Sequence, residues 1–261
     1  MNMSSESALE TFTLPDGREL LCTNADDADA VWREILDGTT YSAAAESLEP
    51  GETVVDVGAH FGVTSLYFSD QSSEVEVIAC EPAPQSFLCL EENFGRHLKS
   101  GVCVQTAVGS RSGEAQLTYY PHQTTMATLH VDDEDDKLNL DTILSNIGLE
   151  ESARVAYWDR SRSGSQHVTV PIRTLSDIFA ERGVTRVGLL KVDVERSELD
   201  VLLGISESDY RMIRNIVMEV HDVDDNLRRV SDLLRSRGFR LETSQDSVFE
   251  GGSVYTVLAK K

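Results

Sequence analysis

The sequence holds no C-x-x-C pair; Cys22, Cys80, Cys89 and Cys103 stand singly among its 261 residues. With Cys80 and Cys103 in apolar, strand-like runs, the four read as reduced, buried thiols of a cytoplasmic protein. No apolar run approaches the roughly 18 residues that a membrane-spanning helix needs. The opening MNMSSESALE lacks the basic and apolar segments of a secretory signal and is expected to be a frayed start. Bases are scarce, 23 against 45 acids, for a net charge of −22. A field of that sign repels a phosphate backbone, which removes nucleic acids from the candidate partners. No internal repeat is visible, and a homo-oligomer is left open.

What is present is a rhythm. A Pro-Asp-Gly turn in TFTLPDGRELLCT predicts a hairpin, and NADDADAVWREILDG predicts a helix capped by Asn24 or an early Asp and stopped at Gly38. From TVVDVG onward, strands alternate with helices: EVEVIACEP, VCVQTAVG, HVTVPI, VGLLKVDV and NIVMEVHD, then two closing runs, FRLETS and VYTVLAKK. Such alternation specifies a mostly parallel sheet covered on both faces by helices. The closing runs are too close together for a helical crossover, so at least one is antiparallel. A chain of this length buries roughly three quarters of its surface and suits a single α/β domain. Residues 1–50 form an N-terminal extension packed on a core of residues 51–261.

The rhythm breaks between about Tyr120 and Gln166, where YYPHQTTMATLH, an acidic run VDDEDD (131–136) and a helix-like NLDTILSNIGL occur. A segment of that length is expected to be a lid over a substrate pocket. The acidic run itself reads as solvated surface.

Open parallel sheets bind ligands beyond the carboxyl ends of their strands. The first core strand ends VVDVGAHFG, with Asp56, Gly58 and Gly62; its spacing is not the G-x-G-x-x-G of dinucleotide sites. Asp56 disfavours a pyrophosphate and favours a cationic group. The next strand ends at Glu81, placed to accept both hydroxyls of a ribose. A nucleoside bearing a positive charge fits both.

In this order, VVDVGAHFGVTSLYF, VIACEPAPQSFLCLEENF, QTAVGSRSGEAQLTYY, TTMATL, LLKVDVERSELDVLLGI and VMEVHD resemble the FkbM family of S-adenosylmethionine-dependent methyltransferases, over about Glu34 to Phe239. The resemblance implies a Rossmann-like class I methyltransferase fold with seven strands, the last ones antiparallel, and a lid-like insertion. It implies that Asp56, Gly58 and Gly62 surround the methionine end of the cofactor. It also implies that Glu81 holds the ribose, that Thr106 and Ala107 border the adenine, and that His60 and Asp193 belong to the same site. His60 stands where the family more often has Asn, and Arg196 where it commonly has Gly. The DVERSELDVL variant resembles the branch found beside polyketide and nonribosomal-peptide assembly lines, which implies a natural-product acceptor, free or tethered to a carrier protein.

In LLKVDVERS, Lys191, Asp193 and Glu195 recur every second residue and lean to one side of the strand. The neighbouring strand ends with Glu219 and His221, so Asp193, Glu219 and His221 are expected to meet. His221 can act as general base, oriented by Glu219 or Asp193. Alternatively Asp193 and Glu219 hold Mg²⁺. Glu195 and Glu198 are expected only to complement a helix dipole, and Lys191 to pair with a carboxylate. The preferred activity is O-methylation, metal-free. Alternatives are N- or C-methylation and, more remotely, an NAD(P)-dependent dehydrogenase or a noncatalytic nucleotide-binding protein.

Overall fold

The computed structural model describes residues 9–37 and 39–261; most of the expected frayed start, and the stop at Gly38, lie outside them. The chain opens with a hairpin, β1 (Glu10–Thr13) and β2 (Glu19–Cys22), whose turn places Gly17 at φ 89°. Two helices follow, α1 (Ala25–Asp37) and α2 (Thr39–Ala45). Asn24 begins α1 by accepting the Asp26 and Asp27 N–H groups at 2.8 and 3.2 Å.

The core then runs β3 (Thr53–Val57), α3 (Val63–Gln71), β4 (Glu76–Cys80), α4 (Pro84–His97), β5 (Gly101–Val104), β6 (Ala107–Val108) and β7 (Gly113–Tyr119). The insertion carries α5 (Asp133–Asn146) and α6 (Glu151–Arg162) and leads into β8 (Gln166–Arg173). Then come α7 (Leu175–Arg182), β9 (Val187–Val192), α8 (Glu198–Leu203), α9 (Glu207–Tyr210), β10 (Ile213–His221), α10 (Asn226–Ser236), β11 (Arg240–Ser244) and β12 (Val254–Lys260).

Seven strands form the main sheet in the order β11-β12-β10-β9-β3-β4-β5. Strands β3, β4, β5, β9 and β10 pair in parallel, while β12 pairs antiparallel with both β10 and β11. Only β12 therefore runs against the rest, and β11 returns to the common direction. The order reverses between β3 and β9, which is where an open sheet of this kind leaves a crevice. The result is a Rossmann-like α/β fold, a mostly parallel sheet with helices on both faces.

Alternation along the strands sorts the core. Val55, Val57, Leu190 and Val192 face α7, α8 and α10, where Leu175, Phe179, Val201 and Leu234 are buried. Val54, Val77, Ala79 and Leu189 face α2, α3 and α4. The hairpin and α1 dock through Leu20, Cys22 and Ile35 onto Phe61 and Leu66. Each such side chain contributes about 1.5–3 kcal/mol by leaving water.

Three expectations need correcting. HVTVPI does not join the main sheet: as β8 it pairs with β6 and β7 in a separate three-stranded sheet. VCVQTAVG is split between the two sheets, because the chain turns at Thr106. Finally, the helix expected from Asn139 starts earlier, inside the acidic run, with Asp132 as its cap. No described helix is long and apolar enough to cross a membrane.

Candidate active site

At the switch point the ends of β3 and β9 nearly touch. Gly58 lies at φ 79°, and a Cβ there would stand 1.7 Å from the Asp193 carbonyl oxygen, so only glycine fits. Gly62 serves packing instead: a Cβ would press to 2.7 Å from Leu90. Beyond Gly58 the chain turns through His60 at φ 52°, whose N–H donates to Glu81 Oε2 at 2.9 Å. Ala83 N–H donates to Glu81 Oε1 at 2.8 Å. Each carboxylate oxygen thus keeps a lone pair for a ligand. Burial pushes Glu81 up to about 7.

These turns bound a cavity of about 830 Å³, open mouth included, walled by Gly58, His60, Glu81, Thr106, Ala107 and Asp193. Apolar cover comes from Val31 of α1, Leu117 of β7 and Leu129 of the insertion. The mixed polar and apolar lining suits a nucleoside. Asp56 and Gly62 are not in the wall.

Asp56 is fully buried and already engaged. Ser65 Oγ donates to its Oδ2 at 2.6 Å, and Lys191 Nζ lies 3.2 Å from its Oδ1. Lys191 also donates to the Gly58 carbonyl at 2.8 Å and sits 3.4 Å from Asp193. Burial opposes the ammonium, but Asp56 and Asp193 outweigh it and hold Lys191 above the ordinary lysine range. The trio keeps one net negative charge, and its exposed member is Asp193, 32% accessible. The attraction for a cation expected of Asp56 is therefore exerted by Asp193.

Beside Asp193 lies an acidic crevice under the N-terminal helices. Glu219 of β10 and Glu34 of α1 face each other there, with Tyr41 of α2 beside Glu34. Burial first, then the facing carboxylates, hold Glu219 well above the usual range; burial likewise raises Glu34. Two carboxyl groups so placed keep one proton between them. Nothing in the sequence around Glu34 marks it, since a single Glu in an amphipathic helix reads as surface.

His221 is arranged otherwise than expected. Its Nδ1 lies 3.0 Å from Glu198 and its Nε2 3.2 Å from Glu195. Burial works against the imidazolium, but these two carboxylates raise it well above the ordinary histidine value. With both nitrogens engaged, His221 has no lone pair for a substrate proton, so the base role does not fit it. Glu195 and Glu198 bind this histidine rather than merely complementing a dipole. Glu195 and Arg196 both have positive φ, 50° and 73°, so the strand period ends before Glu195 and turns it from Lys191 and Asp193 toward His221.

The acidic run is not all solvated. Asp135 and Asp136 are 8% and 2% exposed. Arg196 pairs with them at 3.1 and 2.7 Å, and Arg162 reaches Asp136 at 2.7 Å while lying over the Tyr120 and Trp158 rings. The insertion is thus locked against the loop after β9, and its Thr124, Thr125, Ala127 and Leu129 close one side of the cavity. Thr106 donates to the Ala107 and Pro171 carbonyls, at 2.8 and 3.1 Å, and so fixes the turn between the sheets.

A divalent metal does not fit. Asp193 faces Lys191 and Glu219 faces Glu34, and no group of three or more His, Cys, Asp or Glu among the described residues has metal-binding geometry.

Comparison with known proteins agrees with this architecture. The Methyltransferase FkbM domain matches residues 56–241. A 31-O-demethyl-FK506 methyltransferase, FkbM of Streptomyces tacrolimicus, is 38% identical over 97% of each chain. The AMB antimetabolite synthetase AmbE of Pseudomonas aeruginosa matches 98% of this chain at 32% identity, within 13% of its own length. Methyltransferase sdnD of Sordaria araneosa is 31% identical over 82% of each. The chain belongs to the FkbM methyltransferase family.

Proposed function

We propose that this protein transfers the methyl group of S-adenosylmethionine to a hydroxyl oxygen of a polyketide, macrolide or peptide natural product. Its main support is the junction at Asp193, one carboxylate that lines the nucleoside cavity and also faces Glu34 and Glu219. The residues fit the cosubstrate. Glu81 has free lone pairs for a ribose diol, and the apolar wall suits adenine. The single net charge of the Asp56–Lys191–Asp193 trio suits a sulfonium or an ammonium.

Bound there, S-adenosylmethionine supplies an electrophilic methyl on a positively charged sulfur. The acceptor oxygen enters from the crevice under α1. Its O–H bond breaks as the new O–CH₃ bond forms, the electron pair of the old S–CH₃ bond stays on sulfur, and the proton passes to the Glu219–Glu34 pair. Asp193 lies between the two halves and aligns the acceptor. The relative from Streptomyces tacrolimicus, whose name specifies an oxygen acceptor, supports O- over N- or C-methylation.

Calorimetric titration with S-adenosylhomocysteine tests the cofactor. Micromolar binding to wild type that is lost in Glu81→Ala is expected; a folded wild type that binds none overturns the proposal. Incubation with S-adenosylmethionine and 31-O-demethyl-FK506, followed by mass spectrometry, is the first acceptor trial.

A further inference from the structure

Three separated segments meet at Thr124 of the insertion. Its backbone N–H and its hydroxyl both approach Oδ2 of Asp27 in α1, at 3.1 and 3.2 Å. Its Oγ1 also lies 2.8 Å from Thr23 Oγ1 and 2.8 Å from His60 Nε2. An ionised carboxylate only accepts, so the Thr124 hydroxyl proton is committed to Asp27. The Thr124 oxygen is then left to accept from the Thr23 hydroxyl and from His60. In that arrangement His60 carries its proton on Nε2, which leaves Nδ1 with a lone pair. That Nδ1 is buried without a partner, in a residue that lines the nucleoside cavity. An acceptor stranded in this way is a cost that a ligand donor would relieve.

We propose that Asp27, acting through Thr124, is a positioning residue that fixes His60 as a lone-pair acceptor for a donor on the cosubstrate, either its α-ammonium or a ribose hydroxyl. This rests on the cavity being the S-adenosylmethionine site. The N-terminal extension and the insertion, which lie outside the parallel strand–helix rhythm, would thereby set the hydrogen-bonding sense of a residue in the nucleotide turn.

The chain of bonds is also reversible with pH. Burial pushes Asp27 up to about 6; the two Thr124 bonds act against burial, and Asp26 and Glu10 add to it. Burial, then Lys191, lower His60 to about 4, opposed by Asp193, so the ring stays neutral near pH 6. Protonated Asp27 is a weaker acceptor than the carboxylate, which releases the Thr124 hydroxyl to point at Nε2 and allows the other tautomer. Cosubstrate affinity then falls as pH drops through that range.

The test combines ¹⁵N-histidine NMR with calorimetric titration of wild type and Asp27→Asn, using S-adenosylhomocysteine and 5′-methylthioadenosine, which lacks the amino-acid arm. Expected are an Nε2–H tautomer for His60 in wild type, a shift toward Nδ1–H in Asp27→Asn, and roughly tenfold weaker S-adenosylhomocysteine binding at neutral pH. The acid-side loss of affinity should shrink in the variant to what Glu81 alone contributes. Methylthioadenosine affinity unchanged by the variant assigns the donor to the ammonium; parallel weakening assigns it to the ribose. An Nδ1–H tautomer in wild type, or equal binding by the two folded proteins, overturns the proposal. A wild type that binds no S-adenosylhomocysteine refutes the cofactor site instead, while the tautomer is read independently. Should Asp27→Asn fail to fold, Thr124→Ala keeps the backbone bond to Asp27 and removes only the hydroxyl.

Discussion

The imidazole of His221 is held between two carboxylates, Glu198 on Nδ1 at 3.0 Å and Glu195 on Nε2 at 3.2 Å. Glu198 is fully buried and also accepts from the Arg196 N–H at 2.8 Å and from Asn226 at 3.1 Å. One histidine thus ties the turn after β9 to the start of α8 and the end of β10. His221→Ala leaves these carboxylates without a counter-charge and is expected to cost on the order of 3–5 kcal/mol of stability. Denaturant unfolding checks it; wild-type stability together with lost turnover would return the base role to His221.

The same clamp has a pH signature. The folded pKa of His221 lies above its unfolded value of about 6.5. Its contribution is therefore complete below that value and is lost as pH rises through the folded pKa. Unfolding midpoints from neutral pH upward should decline in wild type, and the slope should flatten in His221→Ala.

Glu34→Gln and Glu219→Gln each break the carboxyl–carboxylate pair that is to take up the acceptor's proton. Turnover is expected to fall about 10²- to 10⁴-fold, the range for loss of a general base, while S-adenosylhomocysteine affinity holds. Steady-state kinetics beside calorimetry separates the two; undiminished turnover in both variants excludes the pair.

Lys191→Met strips the counter-charge from Asp56, which is wholly buried, and from Asp193. Breaking a buried pair from one side costs roughly 3–5 kcal/mol. Adding Asp56→Asn should recover part of that loss, because the stranded charge is then gone. A double-mutant cycle on thermal unfolding measures the coupling.

Arg196→Ala removes the arginine partner of Asp135 and one of the two arginines on Asp136, both buried at the start of α5. The insertion should loosen from the turn after β9, and limited trypsin digestion should cut it at Arg154 or Arg160 faster than in wild type. An unchanged digestion rate would show that Arg162 alone suffices.

Local pattern determined a good deal of this protein. Strand–helix alternation specified the parallel sheet, Gly58 and Glu81 stand at the strand ends that border the cavity, and the ordered motifs resembled one family; each is a short-range signal. What the sequence did not carry is which charges pair. VDDEDD reads as solvated because acids usually are, yet Arg196 and Arg162 arrive from distant segments and bury two of them. Glu195 should follow the strand period, but a left-handed turn swings it onto His221. Glu34, in an ordinary amphipathic helix, becomes part of the site only because the fold sets it opposite Glu219 and Asp193. The cost of burying a charge depends on its partners, and tertiary structure alone brings together partners separated by tens to hundreds of residues.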